Sequence, residues 1–225
     1  MKKHYLHSFQ KRKYEFLLVA LLLHLYIGVF FADIEFYAHV VWPVNMLLLG
    51  ICSLSVFSCK SRLRLFIRNI LFALVVAVPV ATSFIKPSAW FMQVVSISHI
   101  AFYIVIFLEI LRYLVRPGHI SLDIVSASAC GYLLLIEIGI FTMQLIHYSI
   151  PGAFTGIDTR NFITTYLDLV YFCNITLTTI GYGDITPANH FSKLATAMLG
   201  LAGQFYTVVL IGIMISKYTS IQNSK

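Results

Sequence analysis

Charged side chains are what this sequence has least of. They make up 11% of the 225 residues, against about a quarter in soluble domains, while 59% of the chain is hydrophobic. A water-soluble core of this length has no use for so much apolar sequence. Only nine residues are acidic, and no nucleophile–base pair or metal-type cluster is evident. The chain is therefore expected not to be an enzyme and to need no cofactor. Four cysteines, Cys52, Cys59, Cys130 and Cys173, are scattered without a CxxC spacing, which gives no support to a metal or redox motif. They read as small core residues and a free thiol. No internal repeat is present. No long polar tail follows the last apolar run, so no nucleotide- or calcium-binding regulatory domain is expected.

What is there in abundance is apolar runs long enough to cross a hydrocarbon layer of about 30 Å. Six are read, at about Phe16–Ala32, Ala38–Ser58, Leu65–Ile85, Ala89–Val115, Ile120–Tyr148 and Phe191–Ser216. A shorter run, about Thr165–Thr178, is too brief to span. Such a segment reads as a re-entrant half-helix, whose non-helical continuation is tolerated only where it lines a water-filled path. The fold class is an all-α polytopic membrane protein with six transmembrane helices, a re-entrant helix and the loop after it. Pro117-Gly118, a helix-breaking pair, divides the chain into a four-helix unit, residues 1–116, and a second unit, residues 119–225.

The net charge of +7 would suggest nucleic acid in a soluble protein, but its distribution has a different cause. Lys2, Lys3, Lys11, Arg12, Lys13, Lys60, Arg62, Arg64, Arg68, Arg112, Arg116, Lys217 and Lys225 all fall on one side if the six spans alternate. Lys86, Arg160 and Lys193 fall on the other, with Asp33, Glu35, Asp158 and Asp184. By the positive-inside rule both termini are cytoplasmic, in a multi-pass protein of the cell membrane. The basic start followed by an apolar run has no convincing small-x-small cleavage site, so it reads as a retained first helix rather than a signal peptide.

Between the last two spans stands Thr178-Thr179-Ile180-Gly181-Tyr182-Gly183-Asp184. Gly181 and Gly183 reach backbone shapes that side chains resist, and carbonyl oxygens lined along a narrow axis can replace the water around a potassium ion. The stretch resembles the TVGYG filter of tetrameric potassium channels, with Ile for Val. Tyr171-Phe172-Cys173-Asn174-Ile175-Thr176-Leu177 is similar to that family's pore helix, and Asp184-Ile185-Thr186-Pro187 to its exit. The six-span layout is similar to the voltage-gated branch, and the compact pore resembles prokaryotic members. The resemblance implies a homotetramer in a lipid bilayer, since one loop supplies one wall of a filter built from four.

It further implies roles residue by residue. The carbonyls of Thr179, Ile180, Gly181 and Tyr182 would hold K⁺, the permeant ion, with the Thr179 hydroxyl adding a ligand. Tyr182 would turn its ring outward and brace the loop. Thr178 and Gly183 would support the filter, and Tyr171 would donate to Asp184. Asn174-Ile175-Thr176 matches a glycosylation sequon but falls inside the expected pore helix, so it is set aside. Thr165-x-x-Asp168 resembles a capping box at the start of that helix. Gly200, Gly203 and Gly212 on the last span are candidate gating hinges, with tight helix packing the other reading of the first two. Glu137, deep in the fifth span, must be neutral or paired toward the interior.

A voltage sensor needs a ladder of basic residues along its fourth helix. Here that span has none before Arg112. The expected function is a potassium channel with weak or no intrinsic voltage dependence. His24, His39, His99, His119 and His147 could titrate near neutral pH, although packing is the commoner use of histidines in membrane helices. A potassium transporter would carry several degenerate loops per chain, whereas one complete loop stands here. A non-conducting scaffold would have no need of Gly-Tyr-Gly.

Overall fold

In hydrocarbon every backbone N–H and C=O must find an internal partner, so apolar runs fold as helices. A computed structural model of the chain describes residues 12–56, scattered positions between 62 and 77, 88–115 and 122–222, with side chains described to 213. The expected third span, the Pro117-Gly118 boundary, Cys59, Arg68, Lys86 and His119 lie largely or wholly outside the described residues. Among those described, five helices are long and apolar enough to cross a membrane. The protein is an all-α polytopic membrane protein.

Helix α1, Lys13–Tyr26, tightens into a 3₁₀ turn at Ile27–Phe30. Asp33 then caps the next helix by accepting from the amides of Glu35 and Phe36 at 3.0 and 3.1 Å. Helix α2 runs Ile34–Leu54 and widens to π-helical turns at Tyr37–Val41. The widening has a cause in Pro43, which lacks an amide and whose ring would clash with the carbonyl four residues earlier. Helix α3 spans Ala89–Val115 and α4 spans Leu122–Ser149. Helix α5 is Phe162–Leu177, and α6 is His190–Gln222.

Helix α4 is the hub and packs on α1, α3, α5 and α6. Its buried side chains, including Leu134, Ile140, Phe141 and Met143, join Leu17, Leu21, Trp42, Tyr103 and Tyr166 in one core. Two small residues let α6 approach it. A Cβ on Gly131 would run into the Tyr206 side chain, and one on Gly139 would stand 2.8 Å from Leu199. The rest of α6 is bare, with only 11% of its membrane-length segment buried. Phe191, Leu194, Met198, Leu201, Phe205 and Val208 are all exposed along it.

Candidate functional site

Helix α5 has 16 residues, about 24 Å at 1.5 Å per residue, too short to cross the bilayer core. Its start differs from the expected Thr165–Asp168 box. Asn161 is the N-cap, in extended conformation, and its Oδ1 accepts from Ile163 and Thr164 at 3.0 and 2.8 Å. Thr164 closes the box by accepting from the Asn161 amide at 3.4 Å. Thr165 donates instead to the carbonyls of Asp158 and Asn161 at 3.0 and 3.2 Å. Asp168 accepts the Asp158 amide at 2.7 Å. The polar residue just before the helix wins because only a side chain at the boundary meets the unpaired first-turn amides. Thr165 and Asp168 tie down the preceding loop, where Arg160 binds the Asp158 carboxylate and holds its pKa below the ordinary value.

Beyond Leu177 the chain leaves the helix without leaving its hydrogen bonds. The Thr178 amide donates to Asn174 at 3.0 Å and Thr179 to Thr176 at 3.1 Å. Ile180 and Gly181 share the carbonyl of Ile175 at 2.9 and 3.2 Å. The amides are thus turned back toward the helix. Positive φ recurs at every second residue: Thr179 at 61°, Gly181 at 56° and Gly183 at 84°. Two of the three are glycines, which reach this region cheaply, whereas Thr179 carries strain there. Among the described residues no hydrogen bond ends on the carbonyls of Thr179, Ile180, Gly181 or Tyr182. Those four oxygens are left available to a ligand.

At the far end Tyr171 Oη donates to Asp184 Oδ2 at 2.7 Å, which holds the Asp184 carboxyl below its usual range. Strand β1, Phe154–Thr155, pairs antiparallel with β2, Thr186–Pro187, and Ala188 donates to Ala153 at 2.9 Å. Gly156, at φ 85°, is required because a Cβ there would collide with the Asp184 carbonyl. Tyr182 is turned away from the rest of its own chain and is 72% exposed.

Residues 131–220 match the ion channel family model. That segment holds most of α4, all of α5, the loop and nearly all of α6, and is under half of the chain. The chain is 36% identical over 100 residues to two pore potassium channel b of Oryza sativa subsp. japonica, covering 44% of this chain and 24% of that protein. It is 27% identical over 111 residues to two-pore potassium channel 5 of Arabidopsis thaliana, covering 48% and 25%. Potassium voltage-gated channel subfamily KQT member 3 of Homo sapiens is 32% identical over 95 residues, 42% of this chain and 11% of that one. The chain therefore spans about a quarter or less of the length of these relatives. No solved structure matches it. The family and these relatives are ion channels, not enzymes.

Within the matched segment the three glycines of α6 differ. A Cβ on Gly203 would stand 2.7 Å from Leu177 Cδ2, while Gly200 and Gly212 face open space. Gly203 is thus where α6 packs under the end of α5. The free thiols Cys52, Cys130 and Cys173 are buried. Asn174 of the sequon is engaged, accepting from Tyr26 Oη and donating to the Val170 carbonyl, both at 2.7 Å.

The sequence reading did not foresee how closely α1 attaches to α5. Besides the Tyr26–Asn174 bond, His24 Nε2 stands 3.1 Å from Tyr166 Oη and 3.8 Å from Glu137 Oε1. His24 and Glu137 are both fully buried. A histidine inside an apolar helix and a glutamate inside another were the available signals; only the tertiary fold joins them.

Proposed function

We propose that the chain contributes one quarter of a homotetrameric, potassium-selective channel that conducts K⁺ down its gradient. The observation that carries this reading is the loop after α5, where four consecutive carbonyls are unpaired while the amides behind them are bonded to the helix. Carbonyl dipoles held in this way suit a partly dehydrated monovalent cation and need no carboxylate. The backbone carbonyls of Thr179, Ile180, Gly181 and Tyr182 coordinate the ion, with the Thr179 hydroxyl at the inner end. Thr178, Gly183, Asp184 and Tyr171 hold the loop in shape. The negative end of α5 steadies the cation as it sheds water. Relatives of the matched segment are named as potassium channels, which supports the ion assigned.

One filter loop occurs in the chain, so four copies are required to enclose a pore. The exposed apolar length of α6 supplies surface for neighbouring copies and lipid. The six-span layout is that of a voltage-gated channel without its arginine ladder. Arg112 lies at the end of α3 and is paired with Glu109 at 2.6 Å, which suits an interface anchor rather than a moving charge. Voltage dependence is accordingly weak or absent, and both termini are cytoplasmic. Rubidium uptake into vesicles containing the purified protein tests conduction. Uptake that the Gly181→Ala variant loses supports the reading, and no uptake under any condition favours a scaffold.

A further inference from the structure

The three side chains that join α1, α4 and α5 have one unusual feature: a single ring nitrogen serves two partners. His24 Nε2 is within hydrogen-bond distance of Tyr166 Oη at 3.1 Å and also faces Glu137 Oε1 at 3.8 Å. Both carboxyl oxygens of Glu137 and the Nδ1 of His24 are buried without a hydrogen-bond partner. An ionised carboxylate left bare in such a place is costly, and no Lys or Arg among the described residues pairs with Glu137.

We propose that Glu137 and His24 form a buried proton-binding site whose occupancy is read by the pore helix through Tyr166. With the proton on the Glu137 carboxyl and a neutral imidazole, Nε2 keeps its lone pair and accepts the Tyr166 hydroxyl. When that proton leaves to water, the Glu137 carboxylate favours the other neutral tautomer of the ring, its proton on Nε2 instead of Nδ1; the ring then donates toward Glu137, and Tyr166 loses its acceptor. The pair has lost one proton, and the imidazole stays neutral by changing tautomer. Tyr166 is part of α5, whose far end holds the filter loop, so a shift at Tyr166 reaches Thr178 along a continuous helix.

The surroundings leave this pair as the responsive element. Titratable groups facing it are Tyr26 of α1, Tyr37 of α2, His99 and Tyr103 of α3, and Cys173 of α5. His99 is fixed by its Nδ1 bond to the Val95 carbonyl at 2.7 Å and by stacking on Phe141 at 4.4 Å. Tyr26 makes a separate, uncharged tie to Asn174 and so provides a control.

The coupling to flux rests on the conduction reading, but proton binding does not. The purified full-length protein in lipid vesicles is titrated by difference infrared spectroscopy of the carboxyl stretch while rubidium flux is followed over the same pH range. The expected result is a titrating band that is absent from Glu137→Gln, with flux changing at least about fivefold across the titration. That change should vanish in Glu137→Gln and in Tyr166→Phe, and persist in Tyr26→Phe. Flux that keeps its pH dependence in Glu137→Gln overturns the proposal. If the wild type shows no flux, conduction fails as a reading and the spectra decide: a band removed by Glu137→Gln upholds the proton site, and no titrating band overturns it.

Discussion

Tyr171 and Asp184 are joined across the loop after α5 by a hydroxyl–carboxylate hydrogen bond of 2.7 Å. One end belongs to rigid α5 and the other to the chain just past Gly183, so the bond spans the loop like a tie. Replacing Tyr171 by Phe removes the donor and keeps the ring. The expected outcome is several-fold faster loss of current during sustained opening, measured on single channels, with unchanged surface expression. Unchanged kinetics would reduce Tyr171 to packing.

Gly183 sits at φ 84° with nothing within 4 Å of where a Cβ would be. Its substitution is therefore opposed by backbone strain rather than by collision, at a cost of about 1–2 kcal/mol. Gly183→Ala should lower the K⁺/Na⁺ permeability ratio or abolish current while the protein still folds. An unaltered ratio would count strongly against the filter assignment.

Asn161 carries both bonds of the α5 cap. Asn161→Ala should destabilise the protein by about 1 kcal/mol, read as a lowered unfolding temperature in detergent. Asp168→Ala should act differently, loosening the Asp158 loop without unfolding the first turn of α5.

Gly203 and Gly200 separate packing from hinge behaviour. Gly203→Ala should destabilise, because the new methyl meets Leu177, and the same substitution should cost less in a Leu177→Ala background, as a double-mutant cycle would show. Gly200→Ala should leave thermal stability within about 0.5 kcal/mol of wild type. A change in opening confined to Gly200→Ala would assign the bend to that position.

The Asp158–Arg160 pair gives a pH prediction. Arg160 lowers the Asp158 pKa in the folded chain, so the stabilisation is present above the ordinary carboxylate value, about 3.9. It is lost as pH falls through the lower folded value. The stability difference between wild type and Arg160→Gln should be visible at neutral pH and close in acid below that range. A difference that persists there would show that Arg160 acts through other contacts.

Much of this was legible in the sequence because transfer into hydrocarbon depends on local composition. Ala89–Val115 was bounded by its apolar run alone, and the short stretch before the Gly-Tyr-Gly loop could be recognised as too short to span. The first two helices proved less regular than an apolar run suggests: α1 tightens into a 3₁₀ turn at Ile27–Phe30, and α2 widens at Tyr37–Val41 ahead of Pro43. The cap of α5 was misplaced by four residues because Thr165 and Asp168 fit the pattern equally well, and only the chain's approach from Asp158 selects Asn161. The positive φ at Thr179 has no compositional signal, for threonine normally avoids it. Gly131 and Gly139 were not singled out, since their purpose lies in Tyr206 and Leu199 of another helix. The meeting of His24 with Glu137 and Tyr166 joins residues more than a hundred positions apart.

The most direct test of potassium selectivity is the reversal potential of purified protein in a planar bilayer, with K⁺ on one side and mostly Na⁺ on the other. A reversal potential close to the potassium equilibrium value, lost in Gly181→Ala, is the predicted result. A current reversing near zero, or none at any voltage, would contradict it.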